Sequence, residues 1–434
     1  MTSEAKSIRS SRLEGAVDAP PSKSHMQRAA AAALLAEGTS VLRRPSLCDD
    51  AQASLRAVRA LGAEVEDSGP DIRIRGGFNP RMPDIDCGEA GLCLRLFSAV
   101  AALSSRAIVL SARGSLRQRP MGMIEAPLRR LGVVVRTDGG FPPLEVRGPL
   151  RGGEADVDGS VSSQFLSGLL TALPKAERSS LLQISDLKSR PYVDLTLEVL
   201  RGFGVRVDHE SYRTFRVEAG QSFRPADIEI EGDWSGASAW LAAAAVDGKI
   251  SVRGLRRDSR QADVKMLEAL DACGARLSWE GNTLTVEPGR LRSFVFDAAD
   301  SPDLFPALAA LACRCPGTTR IKGASRLAHK ESDRATVLVR ELGRIGGDIR
   351  RDGDWMEIRG TSLGGGEIDA HGDHRIAMAA AIAALSKFKL FFKTFTLIDW
   401  IIQFRKCIAY FFPITYGFKP LHQSRFCPVL FSKR

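Results

Sequence analysis

Aromatic residues make up only 7% of the chain, and forty glycines against four tyrosines imply many tight turns. Paired cysteine motifs are missing too. Cys48, Cys87, Cys93, Cys273, Cys313, Cys315, Cys407 and Cys427 form no C-x-x-C pair and no zinc-like spacing. Free buried thiols in a reducing cytoplasm are therefore the expectation. His371 and His374 have no third ligand near them in sequence, which leaves no metal to propose. No uninterrupted apolar run of about 18 residues occurs, so no membrane span is expected. The opening "MTSEAKSIRSSRLEGAV" also lacks the charged start and apolar stretch of a secretory signal.

A charge excess is absent from most of the chain. The net charge is +10, but residues 386–434 hold nine Lys or Arg and a single acid, Asp399, leaving 52 basic and 50 acidic residues in the rest. A nearly neutral body gives no reason to expect a nucleic-acid partner; the polycation is a C-terminal tail. Charged residues at 26% and hydrophobic residues at 44% fit a soluble globular protein.

What the chain does have is internal repetition. The segments "VRALGAEV", "LRRLGVVV", "LRGFGVRV", "LDACGARL" and "LGRIGGDI" each read as the end of an amphipathic helix, a glycine, and the start of an alternating strand. The glycines are Gly62, Gly132, Gly204, Gly274 and Gly346, spaced by 70, 72, 70 and 72 residues, and each is a C-cap candidate. Six alanine-rich openings, from "RAAAAALLAEGTSVL" to "RIAMAAAIAALSKFKLFF", precede strands, but the sixth copy starts at Asp373 and loses the pattern near Ser386. Small residues on these first helices allow close backbone approach, so the helices are expected inside with strands covering them. A chain of 434 residues exceeds one comfortable core. Three copies per half predict two lobes, with a boundary near Phe223–Ile230 and the first residues crossing to the second lobe. A cleft between lobes suits a small ligand.

Polar motifs recur where repeats open. "SKSHMQR" supplies Lys23, Ser24 and Arg28, "CGEAGLCLR" supplies Gly91 and Arg95, and "RQRPMG" supplies Arg119. "DGSVSSQF" supplies Ser162, Ser163 and Gln164, and "SRPY" supplies Ser189 and Tyr192. From the other half come Asp303 in "ADSPDLF", the "HKESDR" group with Lys330, Glu331, Asp333 and Arg334, and Arg375 in "GDHRIAM". Loops that open helices aim backbone N–H groups outward, and hydroxyls, Lys and Arg added there suit phosphate or carboxylate. Singly, each has a bland reading: serines before a helix are ordinary N-caps, and a charged run is an ordinary wet helix end.

Taken in order, "SKS…R", "G-x-A-G…R", "RP-x-G", "DGS-x-SSQF", "S-x-PY-x-D", "PD", "KESDR" and "DHR-x-AM" resemble the 5-enolpyruvylshikimate-3-phosphate synthase family, from about Ala19 to Leu385. The resemblance implies an α/β fold: a two-lobed inside-out α/β barrel of six βαβαββ units, the sixth incomplete here. Residues 19–226 would form one lobe, residues 1–18 with 227–385 the other, and 386–434 an atypical basic aromatic tail. The implied activity is transfer of enolpyruvyl from phosphoenolpyruvate to the 5-hydroxyl of shikimate-3-phosphate, releasing phosphate, in aromatic amino-acid biosynthesis. No cofactor and no metal is implied. The implied partners are those two small molecules, with no nucleic acid and no membrane, for a cytoplasmic monomer.

Carried onto this chain, the resemblance implies that Lys23, Ser24, Arg28, Ser162, Ser163, Gln164 and Ser189 hold shikimate-3-phosphate, with Tyr192 beside them. Gly91, Arg119, Arg334 and Arg375 would hold phosphoenolpyruvate, with Gln164 and Lys23 touching both. Asp303 would be the base at the attacking hydroxyl, Glu331 the acid at the methylene carbon, and Lys330 a ligand of the hydroxyl. On helical spacing, Lys330, Asp333 and Arg334 share a face with Glu331 about 100° round, and Asp333 is expected to pair with a nearby arginine.

Three departures stand out. Glu89 and Leu92 replace the family's usual Asn and Thr, Arg326 stands where Asn commonly precedes the "KE" pair, and the tail holds ten of the twenty phenylalanines. Tyr410 would occupy the place of a phosphate-contacting lysine. An altered reading frame from about Ser386, or a wrongly joined end, would explain the tail. It would leave an apolar face uncovered, lowering stability and activity. Two rivals remain open at this level: an impaired homologue that binds shikimate-3-phosphate, and a membrane- or nucleic-acid-associated protein acting through "FKLFFKTFTLIDWIIQFRK".

Overall fold

The computed structural model describes residues 6–8, 13–67, 69–328, 330–385 and 390–392. His329 and the tail apart from residues 390–392, Tyr410 included, lie outside the described residues. The α-helices are α1 (Lys23–Leu35), α2 (Asp49–Ala60), α3 (Gly91–Ala101), α4 (Glu125–Arg130), α5 (Gln164–Ala172), α6 (Arg190–Gly202), α7 (Trp234–Asp247), α8 (Met266–Cys273), α9 (Phe305–Ala312), α10 (Arg334–Arg344) and α11 (His374–Ala384).

The odd-numbered helices are the alanine-rich openings of the repeats. Every residue of α3 and α9 is buried. A helix apolar on all sides has no face to offer water, so it lies within the core while strands cover it. Small residues let these helices touch. A Cβ at Gly168 on α5 would come within 2.6 Å of the Leu96 carbonyl oxygen on α3. The even-numbered helices end at the five repeat glycines, whose φ values are +117° at Gly62, +88° at Gly132, +80° at Gly204, +84° at Gly274 and +92° at Gly346. The predicted C-caps are therefore left-handed, the conformation that favours glycine.

Six sheets surround the helices, five of four strands and one of three among the described residues. The second unit gives the pattern. Asp84–Asp86 runs parallel to Ile108–Ser111 across α3, then Phe141–Arg147 and Val134–Asp138 add antiparallel. In the first and fourth units the opening strands are exchanged. Leu13–Asp18, which leads into α1, pairs in parallel with Gly248–Arg253, whereas Asp227–Glu229, which leads towards α7, pairs in parallel with Thr39–Arg43. The chain therefore crosses twice between the halves, and the two crossings touch at a Pro21–Gly232 bridge. The sixth unit's sheet pairs Gly366–Ile368 with Leu390–Phe392 and is completed by Lys6–Ile8 from the other end of the chain. The strand Leu390–Phe392 thus lies beyond residue 385.

Burial follows the crossing. One apolar core runs from Met26 to Ile230; the other joins Leu13, Val17 and Ala19 to residues between Trp234 and Leu385. The result is a two-lobed, inside-out α/β fold.

Candidate active site

The N-terminal ends of the buried helices bring polar motifs of the two lobes into contact. Capping fixes their direction. Asp233 caps α7 by accepting from the Gly236 N–H at 2.7 Å, and its other oxygen accepts from the Lys23 N–H at 3.1 Å at the start of α1. Asp373 caps α11 through the Arg375 N–H at 2.9 Å. One carboxylate thus joins the two lobes, and another anchors the helix that bears Arg375.

The densest chemistry gathers around Arg334, which is 1% exposed. Its Nε donates to Asp373 Oδ2 at 2.7 Å and its Nη1 to Asp303 Oδ1 at 2.8 Å, while Nη2 reaches Glu331 Oε2 at 2.5 Å. Asp303 also accepts from Lys330 Nζ at 3.2 Å, and its Oδ2 lies 3.4 Å from Arg375 Nη2. From the other lobe, Arg119 Nη2 stands 3.5 Å from Glu331 Oε1. Asp303, Glu331, Lys330, Arg334, Arg375 and Arg119 therefore share one cluster.

Charge balance sets the protonation states. Burial opposes ionisation of Asp303, but Arg375, Lys330 and Arg334 outweigh it and hold the carboxyl well below its ordinary range. Burial likewise opposes ionisation of Glu331, and Arg334 and Arg119 reverse the balance, so this carboxyl is also held well below. Burial lowers Lys330 despite the pull of Asp303. Asp50, 2.9 Å from Lys23 Nζ, raises the lysine against its burial. Burial and Arg375 push His374 down to about 4, leaving the imidazole neutral near pH 7.

A second group lies in the first lobe. Arg28, 2% exposed, donates to Thr196 Oγ1 at 2.8 Å, the Ser24 carbonyl at 2.9 Å, the Tyr192 carbonyl at 3.2 Å and Ser167 Oγ at 3.3 Å. All four acceptors are neutral, and burial lowers this guanidinium to about 10. Gln164 accepts from Arg95 Nη1 at 2.8 Å, and Ser162 Oγ accepts from the Gln164 N–H at 3.2 Å. Ser163 is buried and occupies the N-cap position of α5 without a side-chain cap bond, so the ordinary capping role is not the one it plays. Ser189, at φ +54°, donates its N–H to Asp300 Oδ1 of the second lobe at 2.6 Å. The Tyr192 hydroxyl donates to Asp263 Oδ2 across the lobes at 2.9 Å. Gly91 opens α3 with Arg119 and Arg95 so close that a Cβ would lie 3.3 Å from each Nη1.

Two details correct the helical reading of "KESDR". The helix α10 begins only at Arg334, so Lys330–Asp333 precede it, and the pair that meets at i, i+3 is Glu331 with Arg334. Asp333 caps α10 through Thr336, at 3.4 Å to its N–H and 2.7 Å to its hydroxyl; the arginine's structural partner is instead Asp373. Asp50, Asp233, Asp263, Asp300 and Asp373 were all missed. Asp233 and Asp373 left a signal, each standing in the cap position of an alanine-rich helix.

The family described as EPSP synthase (3-phosphoshikimate 1-carboxyvinyltransferase) matches residues 8–411, which extends past the motifs in both directions. The chain is similar to the 3-phosphoshikimate 1-carboxyvinyltransferase of Aeropyrum pernix, 41% identical over 379 residues covering 87% of this chain and 88% of the relative. It is similar to that of Methanocella arvoryzae, 40% identical over 387 residues covering 87% and 91%. Among solved structures it resembles the EPSP synthase of Acinetobacter baumannii, with a TM-score of 0.80 and 26% identity over 94% of this chain and 98% of that one.

Proposed function

The chain belongs to the EPSP synthase family, and on that premise we propose how its cleft carries out the reaction. The protein transfers the enolpyruvyl group of phosphoenolpyruvate to shikimate-3-phosphate, in aromatic amino-acid biosynthesis. The single observation that supports the residue assignment is the meeting of Asp303 and Glu331 on one guanidinium, Arg334, with Arg119 reaching the same cluster from the other lobe.

In this reading, Arg119, Arg334, Arg375 and the N-terminal end of α3 at Gly91 hold phosphoenolpyruvate. Bidentate guanidiniums match its carboxylate and phosphate. Arg28, buried without an anionic partner among the described residues, takes the carboxylate or phosphate of shikimate-3-phosphate. Lys23, Ser24, Ser162, Ser163, Gln164 and Ser189 complete that side, with Tyr192 beside it. Asp303, ionised, accepts the proton of the attacking hydroxyl, and Lys330 binds that oxygen. The hydroxyl oxygen bonds to the central carbon of the enol as Glu331 delivers a proton to its methylene. In the second half Glu331 takes a proton back from the methyl group, the double bond re-forms, and the carbon–oxygen bond to phosphate breaks, the departing phosphate carrying off the proton that Asp303 accepted.

All these groups come from one chain, which supports a monomer as the working unit. Free thiols such as Cys87, Cys93, Cys273, Cys313 and Cys315 suit a reducing cytoplasm. No helix among the described residues is long and apolar enough to cross a membrane.

The test is phosphate release in the presence of both substrates. Asp303→Asn and Glu331→Gln are each expected to lower kcat by about 100-fold or more, with shikimate-3-phosphate binding retained by calorimetry. Undiminished turnover in either variant refutes its assignment. Binding without turnover in the unsubstituted chain would instead favour the impaired homologue.

A further inference from the structure

Glu89 sits two residues before Gly91, where a carboxylate aimed at the cleft would repel the anion assigned to Gly91 and Arg119. The fold turns it elsewhere. Its Oε2 accepts from the Ser115 N–H at 3.2 Å and from the Ser115 hydroxyl at 3.1 Å. Gly114 makes room for this. With φ at +50°, it passes so close that a Cβ there would lie 2.3 Å from a Glu89 carboxylate oxygen.

Ser115 belongs to a short 3-10 turn, Gly114–Gln118, and Arg119 is the residue that follows it. The contact therefore pins the start of the turn whose end carries the guanidinium. The hydroxyl of Ser115 closes the chain, for it accepts from Arg119 Nη2 at 3.2 Å while donating to Glu89. A hydroxyl that donates to a carboxylate is a better acceptor for a cation. The orientation of Arg119 otherwise leans on Glu331 at 3.5 Å, and its Nε is buried without a hydrogen-bond partner among the described residues. Glu331 must change its own proton during turnover, so it is a poor sole anchor.

We propose that Glu89 is a positioning residue for the enolpyruvyl donor, acting through Ser115 to fix the guanidinium of Arg119 against Gly91. The proposal rests on the reading of Arg119 as a phosphoenolpyruvate ligand. It converts a departure from the family pattern into a working part of this chain, because an exposed carboxylate beside an anion site is tolerated by being spent on a strut.

Steady-state kinetics on the full chain test it. Glu89→Ala and Ser115→Ala are each expected to raise the KM for phosphoenolpyruvate about 3- to 10-fold, the scale of one lost hydrogen bond. The KM for shikimate-3-phosphate and kcat should stay within about twofold. The double variant should do no more than the worse single one, since both cut the same chain. Glu89→Gln, which keeps an acceptor at the same reach, should return the KM to near its parent value. An unchanged KM for phosphoenolpyruvate, an equal rise for both substrates, or additive effects would each overturn the proposal. Arg119→Lys separates the two levels. If it raises that KM while Glu89→Ala does not, only the strut falls; if it leaves that KM unchanged, the reading of Arg119 falls with it.

Discussion

Arg334→Leu should cost far more stability than a surface arginine would. Arg334 is 1% exposed and its partner Asp373 is 0% exposed. Removing one member of a buried pair leaves an uncompensated charge and costs about 3–5 kcal/mol. Asp373 would keep two donors, Ser332 Oγ at 3.0 Å and the Arg375 N–H at 2.9 Å, which favours the lower end of that range. Asp303 and Glu331 lose a contact too, but their side chains are 28% and 25% exposed, so water offsets part of the loss. For a lobe of about 150–250 residues, each kcal/mol lowers Tm by roughly 2–4 °C, so a fall on the order of 6–12 °C is expected. The companion variant decides the cause. Arg334→Leu combined with Asp373→Asn removes the stranded charge as well, and should melt above the single variant while remaining inactive. Thermal unfolding and phosphate release on the two proteins are the assays. A single variant within about 1 kcal/mol of the parent, or a double variant no better than the single, refutes the argument that the stranded carboxylate dominates.

Burial, then the nearby Asp303 carboxylate, pushes Asp263 up to about 6. That penalises folding by on the order of 2–3 kcal/mol above the folded pKa and not at all below about pH 4; Asp263→Asn should therefore stabilise the protein at pH 7.5 and leave it unchanged at pH 4, and parallel stability–pH curves would count against this. Arg28→Met should raise the KM for shikimate-3-phosphate at least about tenfold yet leave Tm unchanged or higher, because the buried cation faces only neutral acceptors; a large fall in Tm would show that those acceptors need it. Replacing residues 386–434 with a regular sixth unit should raise both Tm and turnover, and equal values would refute the reading of the tail as aberrant.

How much of this was legible in the sequence depends on the range of the interaction. The repeat was readable because each unit needs its own glycine stop, and Gly62, Gly132, Gly204, Gly274 and Gly346 all take the left-handed conformation the spacing implied. The helix N-terminal ends were readable because polar residues before an alanine-rich run have few other uses. The strand exchange was only partly visible. Nothing local in "LEGAVD" or "DIE" says that each pairs with a sheet of the other half, since parallel pairing is decided by distant backbone. The supporting acids were invisible for the same reason. Asp263 and Asp300 are ordinary residues in sequence, and each matters through a partner in another repeat, Tyr192 and Ser189; Asp50 shares a repeat with Lys23 but meets it only when α2 packs against α1. The helical reading of "KESDR" failed because Asp333 prefers to cap a helix rather than lie within one.

The protonation of Glu331 ties binding to chemistry. Burial alone would keep this carboxyl protonated and ready to donate, but Arg334 and Arg119 hold it ionised. Those are the guanidiniums assigned to phosphoenolpyruvate. On that assignment, a multiply charged anion that claims them withdraws countercharge from Glu331 and adds repulsion, which shifts the carboxyl towards its protonated form. On the proposed roles the substrate would thereby create the acid that attacks it, with no acid standing ready when only water could receive the proton. Calorimetry in buffers of different ionisation enthalpy reads this directly. Binding of phosphoenolpyruvate near pH 7 to the Asp303→Asn protein with shikimate-3-phosphate present, where turnover is slow, should take up roughly one proton. Glu331→Gln added to that protein should abolish the uptake. Tight binding with no proton uptake would mean that Glu331 stays ionised beside its substrate, and the first proton would have to come from another group, of which Lys330 is one candidate in the cluster.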